Sequence, residues 1–126
     1  MVIQINDNLS LIDLQLEFSR KFPFLKIEFF KRQDLDDKST KNYIVETESK
    51  CVCDVRQSHE EGVLRVNSGM TVEQFESSLI RKFNLPVKVF RKMGRMWRET
   101  RITSNWSLQL QNEHGKRSDD RLELFW

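Results

Sequence analysis

Cys51-Val52-Cys53 is the pattern in this chain that comes nearest to a ligand pair. Thiolates hold zinc in tetrahedral sites, and those sites draw ligands spaced two to four residues apart from two places in a chain. Here one residue separates the cysteines, there is no second pair, His59 stands alone nearby and His114 lies far along the chain. Two cysteines are also too few for a disulfide framework. Reduced, half-buried and metal-free thiols are the expectation. His114 follows Glu113, and Asp34, Asp36 and Asp37 share a polar run. A catalytic histidine needs a nucleophile and an orienting group within hydrogen-bond reach. A calcium loop needs a central glycine and a terminal glutamate. The spacing supplies neither, so a surface histidine and a solvated loop are expected, with no catalytic residue, no metal and no cofactor. Four scattered glycines make no phosphate-binding loop.

The other chemistry is electrostatic. Arg81, Lys82, Lys88, Arg91, Lys92, Arg95, Arg98 and Arg101 stand against a single acid, Glu99, in residues 81–101, although the whole chain carries a net charge of only +2. Strand alternation puts Lys88, Phe90 and Lys92 on one face and Val89 and Arg91 on the other. A neighbouring strand starting at Met96 would bring Trp97 or Arg98 beside the lysines. The candidate basic face is therefore Lys88, Lys92, Arg95, Arg98, Arg101 and Trp97. Basic residues interleaved with aromatics can hold phosphates and stack bases. The aromatic pair of an RNA-recognition sheet is missing. The competing reading buries Phe90 and Trp97 and leaves the charges as a solvated surface.

The elements that must position these residues come in two copies. Leu11, Leu14, Phe18 and Phe22 recur 61 residues on as Val72, Phe75, Leu79 and Phe83, and Ser10 recurs as Thr71. Steps of three and four make each set one stripe of an amphipathic helix. Ser10 with Asp13 and Thr71 with Gln74 have capping-box spacing. Pro23 stops the first helix, and Asn84 suits the end of the second. Leu25-Lys26-Ile27 and Val87-Lys88-Val89 then read as matching strands, the second displaced by one residue at Pro86. Residues 2–6 and 63–66 are the opening strands of the two copies, 31–41 is a polar loop, 43–45 is a further strand, and 49–61 is a short helix or an irregular segment. Lys92-Met93-Gly94-Arg95 reads as a hairpin turn into a strand over 96–102. A helical turn through Trp106, Leu108 and Leu110 precedes a polar loop at 115–120 and a closing strand through Leu122, Leu124 and Trp126.

A chain of 126 residues suits one domain with one core. The expected fold is a single α+β domain over 1–126, an internal duplication of 2–31 and 63–92, with a C-terminal hairpin and closing strand over 95–126. Two helices on one face of a mixed sheet would be ferredoxin-like split β-α-β units, with a ubiquitin-like β-grasp as the alternative.

Several stretches are similar to a family of small bacterial proteins of unknown function, met mainly in Bacteroidetes. They are residues 70–76, 87–92, Trp97, Glu99-Thr100, Trp106-Ser107-Leu108, Gln111-Asn112 and, in the first half, 22–30. The resemblance runs over residues 1–117 and implies no activity, ligand or partner. Met93-Gly94 replaces the family's Ser-Gly turn, Arg98 an aliphatic residue and Gln109 an acid, which makes this member more basic than the pattern.

The function expected from these features is a non-enzymatic protein-interaction module. The alternative is a nucleic-acid-binding protein using the 81–101 face, and an enzyme or small-ligand binder is the least favoured class. The first six residues lack a basic region followed by an apolar run, so no secretory leader is expected. No run approaches the ~20 apolar residues of a membrane span, and the cytoplasm is the expected compartment. Protein is the expected partner.

Overall fold

The computed structural model describes residues 1–33 and 41–124. Asp34, Asp36, Asp37 and Trp126 lie outside the described residues. Helix α1 (Leu11–Lys21) starts where the Ser10 hydroxyl accepts the Asp13 N–H at 3.4 Å. Helix α2 (Val72–Phe83) carries both halves of its capping box. Thr71 accepts from the Gln74 N–H, and the Gln74 side chain accepts from the Thr71 N–H. It ends at Asn84 in the left-handed region, φ 52°, a conformation asparagine tolerates better than most residues.

Strands β1 (Val2–Ile5) and β4 (Gly62–Arg65) pair antiparallel as a sheet of their own. Strands β2 (Leu25–Gln33), β3 (Lys41–Ile44), β5 (Val87–Met93) and β6 (Met96–Glu99) form a second sheet in the order β3-β2-β5-β6, every pair antiparallel. The class is α+β with two β-α-β units. The single mixed sheet is corrected, because β1 and β4 pair apart from the other four strands and no described pair is parallel. The reason is symmetry. Each strand pairs with its counterpart in the other unit, β1 with β4 and β2 with β5, and a two-fold axis between equivalent strands makes them antiparallel. The registers obey that axis. Ile3 faces Leu64 and Ile27 faces Val89, and the flanking pairs exchange when the units are swapped.

The correspondence extends past the hairpins. Leu11 N–H donates to the Lys50 carbonyl as Val72 N–H does to Trp106, at 3.0 and 3.1 Å. Val52 N–H donates to Leu9 as Leu108 N–H does to Met70, both at 2.9 Å. Cys53 N–H donates to Asp7 as Gln109 N–H does to Ser68. The 3₁₀ turn Val52–Asp54 is thus the counterpart of the first turn of helix α3 (Leu108–Leu124). Val52 and Leu108 are both fully buried.

Helix α3 replaces two expected elements. The polar loop at 115–120 and the strand through Leu122 and Leu124 are helical. Its inward positions are Leu108, Gln111 and Gly115, a stripe with helical spacing but only one apolar side chain. Gln111 is fully buried because its amide donates to the Thr103 carbonyl and hydroxyl and its oxygen accepts from Arg91. Gly115 lets the helix touch the chain before β2. A Cβ there would stand 2.8 Å from Phe24 Cβ and 2.9 Å from its carbonyl oxygen. The remaining differences are at strand ends. β2 runs to Gln33 and β3 begins at Lys41, so the polar connection is shorter than 31–41. β6 stops at Glu99.

The inner face of β1–β4 (Ile3, Ile5, Leu64), the stripes of α1 and α2, and Leu25, Ile27, Phe29, Val87 and Val89 share one core. The Phe18 and Phe75 rings meet there at 4.9 Å.

Candidate functional site

The even-numbered side chains of β2 and β5 point away from that core, and none of those described on this face is buried. The cross-strand neighbours Lys26 and Phe90, Glu28 and Lys88, and Lys92 and Trp97 share it. Phe30 and Ile44 lie at its other end, with Ile44 well exposed. The two-residue turn at Gly94-Arg95 sets this geometry. Gly94 has φ 63°, the sign that a II′ hairpin turn requires at its first position.

The face is less basic than the sequence of 81–101 suggests. Lys88 lies 3.4 Å from Glu99, Lys26 lies 3.4 Å from Glu28, and Lys92 is bonded to Asp119, which reaches it from α3. Three lysines are matched by three carboxylates. Lys26 Nζ also stands 5.1 Å from the Trp97 ring centroid and 5.9 Å from that of Phe90. The two rings therefore already serve an internal cation. Trp97 is 37% exposed and Phe90 half-buried, so neither is the core residue of the competing reading.

The structure divides the candidate basic residues. Lys88, Lys92 and Trp97 share the open face. Arg98 pairs directly with Arg91 and points to the opposite side of the sheet. Arg95 sits in the turn, and both it and Arg98 are exposed. Arg101 lies beyond β6 on a groove of about 260 Å³ that it shares with Glu73, Glu76, Ser77, Ile80, Lys88, Glu99 and Ser104. In that groove the Glu76 carboxylate accepts the Val89 N–H at 2.9 Å. It takes the place of the ladder partner that β5 loses where β6 ends. Burial pushes the Glu76 carboxyl above its ordinary range, against the pull of the Val89 N–H and Lys88.

Reading the sequence misses the residues that neutralise the face. The alternation of Lys26 and Glu28 carries a signal of one pair. Asp119 carries none without α3. A second polar cluster is also invisible in the spacing. Asp7 accepts from the buried Arg56 at 2.9 Å and contacts His59 Nδ1 at 2.6 Å, while Arg56 Nη1 donates to the Phe83 carbonyl at 2.7 Å. His59 first, then Arg56, holds the Asp7 carboxyl below its usual range. The cluster ties the segment after the 3₁₀ turn to the end of α2.

Cys51 and Cys53 are free thiols, and Cys53 is exposed rather than half-buried. Desolvation and the neighbouring Asp54 raise the Cys53 thiol, the reverse of what a reactive thiolate needs. Among the described residues no group of three or more His, Cys, Asp or Glu is placed to hold a metal ion. His114 is not in a loop. It lies on α3 with its ring 4.7 Å from that of Trp106, and Arg91 lies 5.5 Å from the Trp106 ring centroid. Partial burial and the charges of Arg117 and Arg91 lower its pKa. No described helix is long and apolar enough to cross a membrane. Compared with family models, with curated proteins and with solved structures, the chain matches none.

Proposed function

We propose that this protein is a non-enzymatic, cytoplasmic protein-interaction module that binds through the open sheet face and the β6 edge around Trp97. The observation that carries this reading is the one-for-one pairing of Lys26, Lys88 and Lys92 with Glu28, Glu99 and Asp119 beside the accessible rings of Phe30, Phe90 and Trp97. Aromatic residues are enriched at protein interfaces, and the pairing leaves these lysines no net charge to offer a polyanion. Phosphate binding rests instead on cations free to displace counterions. A second reading, a nucleic-acid-binding protein on the 81–101 face, draws on the exposed Arg95, Arg98 and Arg101. Affinity capture from the source cell, with and without nuclease, separates the two. The expected result is a protein retained through nuclease treatment by the native chain and lost with Trp97→Glu. Release of the catch by nuclease favours the second reading. Equal capture by both chains overturns the placement at Trp97.

A further inference from the structure

We propose that the outer edge of β6 is a docking strand for an extended acidic segment of a partner protein, which adds to the sheet beside Trp97, Arg98 and Glu99. The inference rests on the interaction reading above and specifies its partner.

The backbone supplies the first argument. The Thr100 N–H donates to the Val89 carbonyl at 3.1 Å. Antiparallel ladders alternate bonded and non-bonded pairs, so Arg98 and Met96 turn their N–H and C=O groups toward β5. Trp97 and Glu99 turn theirs outward, where no described residue meets them. β6 ends the strand order, and all four of its residues are exposed. An edge of this kind is the template for strand addition, with main-chain bonds giving affinity and alternate side chains giving specificity.

Charge selects the occupant. Arg98 sits directly across from Arg91, and like charges opposite each other disfavour a pair. Arg91 is provided for by the Gln111 oxygen at 2.9 Å and by the Trp106 ring. No described carboxylate lies within ion-pair distance of Arg98. An incoming strand with an acid opposite Arg98 fills that want, and an apolar residue opposite Trp97 covers its ring. A second copy of the chain fits worse. The self-pairing that uses both outward-facing residues is centred on Arg98 and sets Arg98 against Arg98. Glu99 does not repel the acid strand, because Lys88 already holds it at 3.4 Å and its side chain lies on the face opposite to that of Arg98.

The test uses the full chain and a fluorescein-labelled peptide of about eight residues, a usual strand length, that alternates valine with glutamate. Anisotropy should show binding at least about tenfold tighter than for the same peptide with lysine in place of glutamate, the swing expected from replacing an attractive cross-strand pair by a repulsive one together with its neighbours. A central proline should abolish binding, since it removes a ladder donor. Arg98→Glu should invert the preference. Hydrogen exchange on the native chain should show protection gained at the Trp97 and Glu99 amides and none along β3. Equal affinity for the glutamate and lysine peptides, indifference to Arg98→Glu, or protection elsewhere overturns the proposal. Salt-steep binding of single-stranded RNA at the same edge also overturns it, in favour of a nucleic-acid partner. No peptide binding, combined with nuclease-resistant capture that Trp97→Glu abolishes, removes strand addition while leaving the interaction reading standing.

Discussion

At equivalent positions of the two units, Gln15 and Glu76 meet equivalent strand residues with different chemistry. Gln15 donates to the Ile27 carbonyl at 2.8 Å and accepts from the Thr47 hydroxyl at 3.0 Å. A carboxamide carries both a donor and an acceptor, so it bridges β2 to the chain after β3. Glu76 can only accept when ionised. It takes the Val89 N–H and leaves the groove toward Arg101 and Ser104 open. The 3₁₀ turn Val52–Asp54 and helix α3 extend the contrast. One unit stops after a turn. The other grows a helix that brings Asp119 to the sheet. One backbone plan thus carries a bridging glutamine in one unit and an accepting carboxylate on a groove in the other, and the second unit carries Trp97 and the β6 edge.

Breaking the shared part of the plan should have the largest effect. Phe22→Ala and Phe83→Ala remove equivalent rings, 3% and 4% exposed. Each should cost about 3–5 kcal/mol, a large share of a typical stability of about 5–15 kcal/mol. Urea melts that give less than about 1 kcal/mol for either would mean the units do not pack alike. Gly115→Ala probes the asymmetric part. The added Cβ meets Phe24 backbone and Cβ, and the strain of overpacking, about 1–3 kcal/mol, outweighs a gain in helix propensity of up to about 1 kcal/mol. A more stable Gly115→Ala variant would show that α3 does not press on Phe24. Glu76→Gln, which gives the second unit the first unit's residue, should have the smallest effect and one that depends on pH. The folded-state pKa is raised by burial, so the contribution of Glu76 to stability is fully present below its ordinary value of 4.5 and is lost as pH rises through the folded value. The glutamine variant should therefore melt higher than the native protein at neutral pH, and the difference should vanish below pH 4.5. A constant difference across that range would contradict the burial of the carboxyl.

The repeated elements were legible because their inward positions are apolar and periodic. Leu14, Phe18, Phe75 and Leu79 declare two helices, and Ile27 and Val89 declare two strands. Helix α3 was not legible, because its buried stripe is Leu108, Gln111 and Gly115. A fully buried glutamine and a glycine pressed against Phe24 produce no hydrophobic period, and Gly115 followed by polar residues imitates a loop. The sheet order was not legible either, since local spacing does not say that each strand will pair with its own counterpart. For the candidate site, alternation placed Lys88, Phe90 and Lys92 together and brought Trp97 beside them. It could not supply their carboxylate partners, because Glu99 follows a turn and Asp119 lies on an unread helix.

The charge pairing of the sheet face is what sets the proposed protein partner against a nucleic acid. The most direct measurement is fluorescence anisotropy of labelled single-stranded RNA and DNA with the full chain across a range of salt. A charge-paired face should show no binding at tens of micromolar, a concentration at which non-specific nucleic-acid binders commonly associate. Micromolar binding that falls steeply with salt, and whose salt slope flattens when Lys88, Lys92 and Arg98 are changed together to Ala, would contradict it.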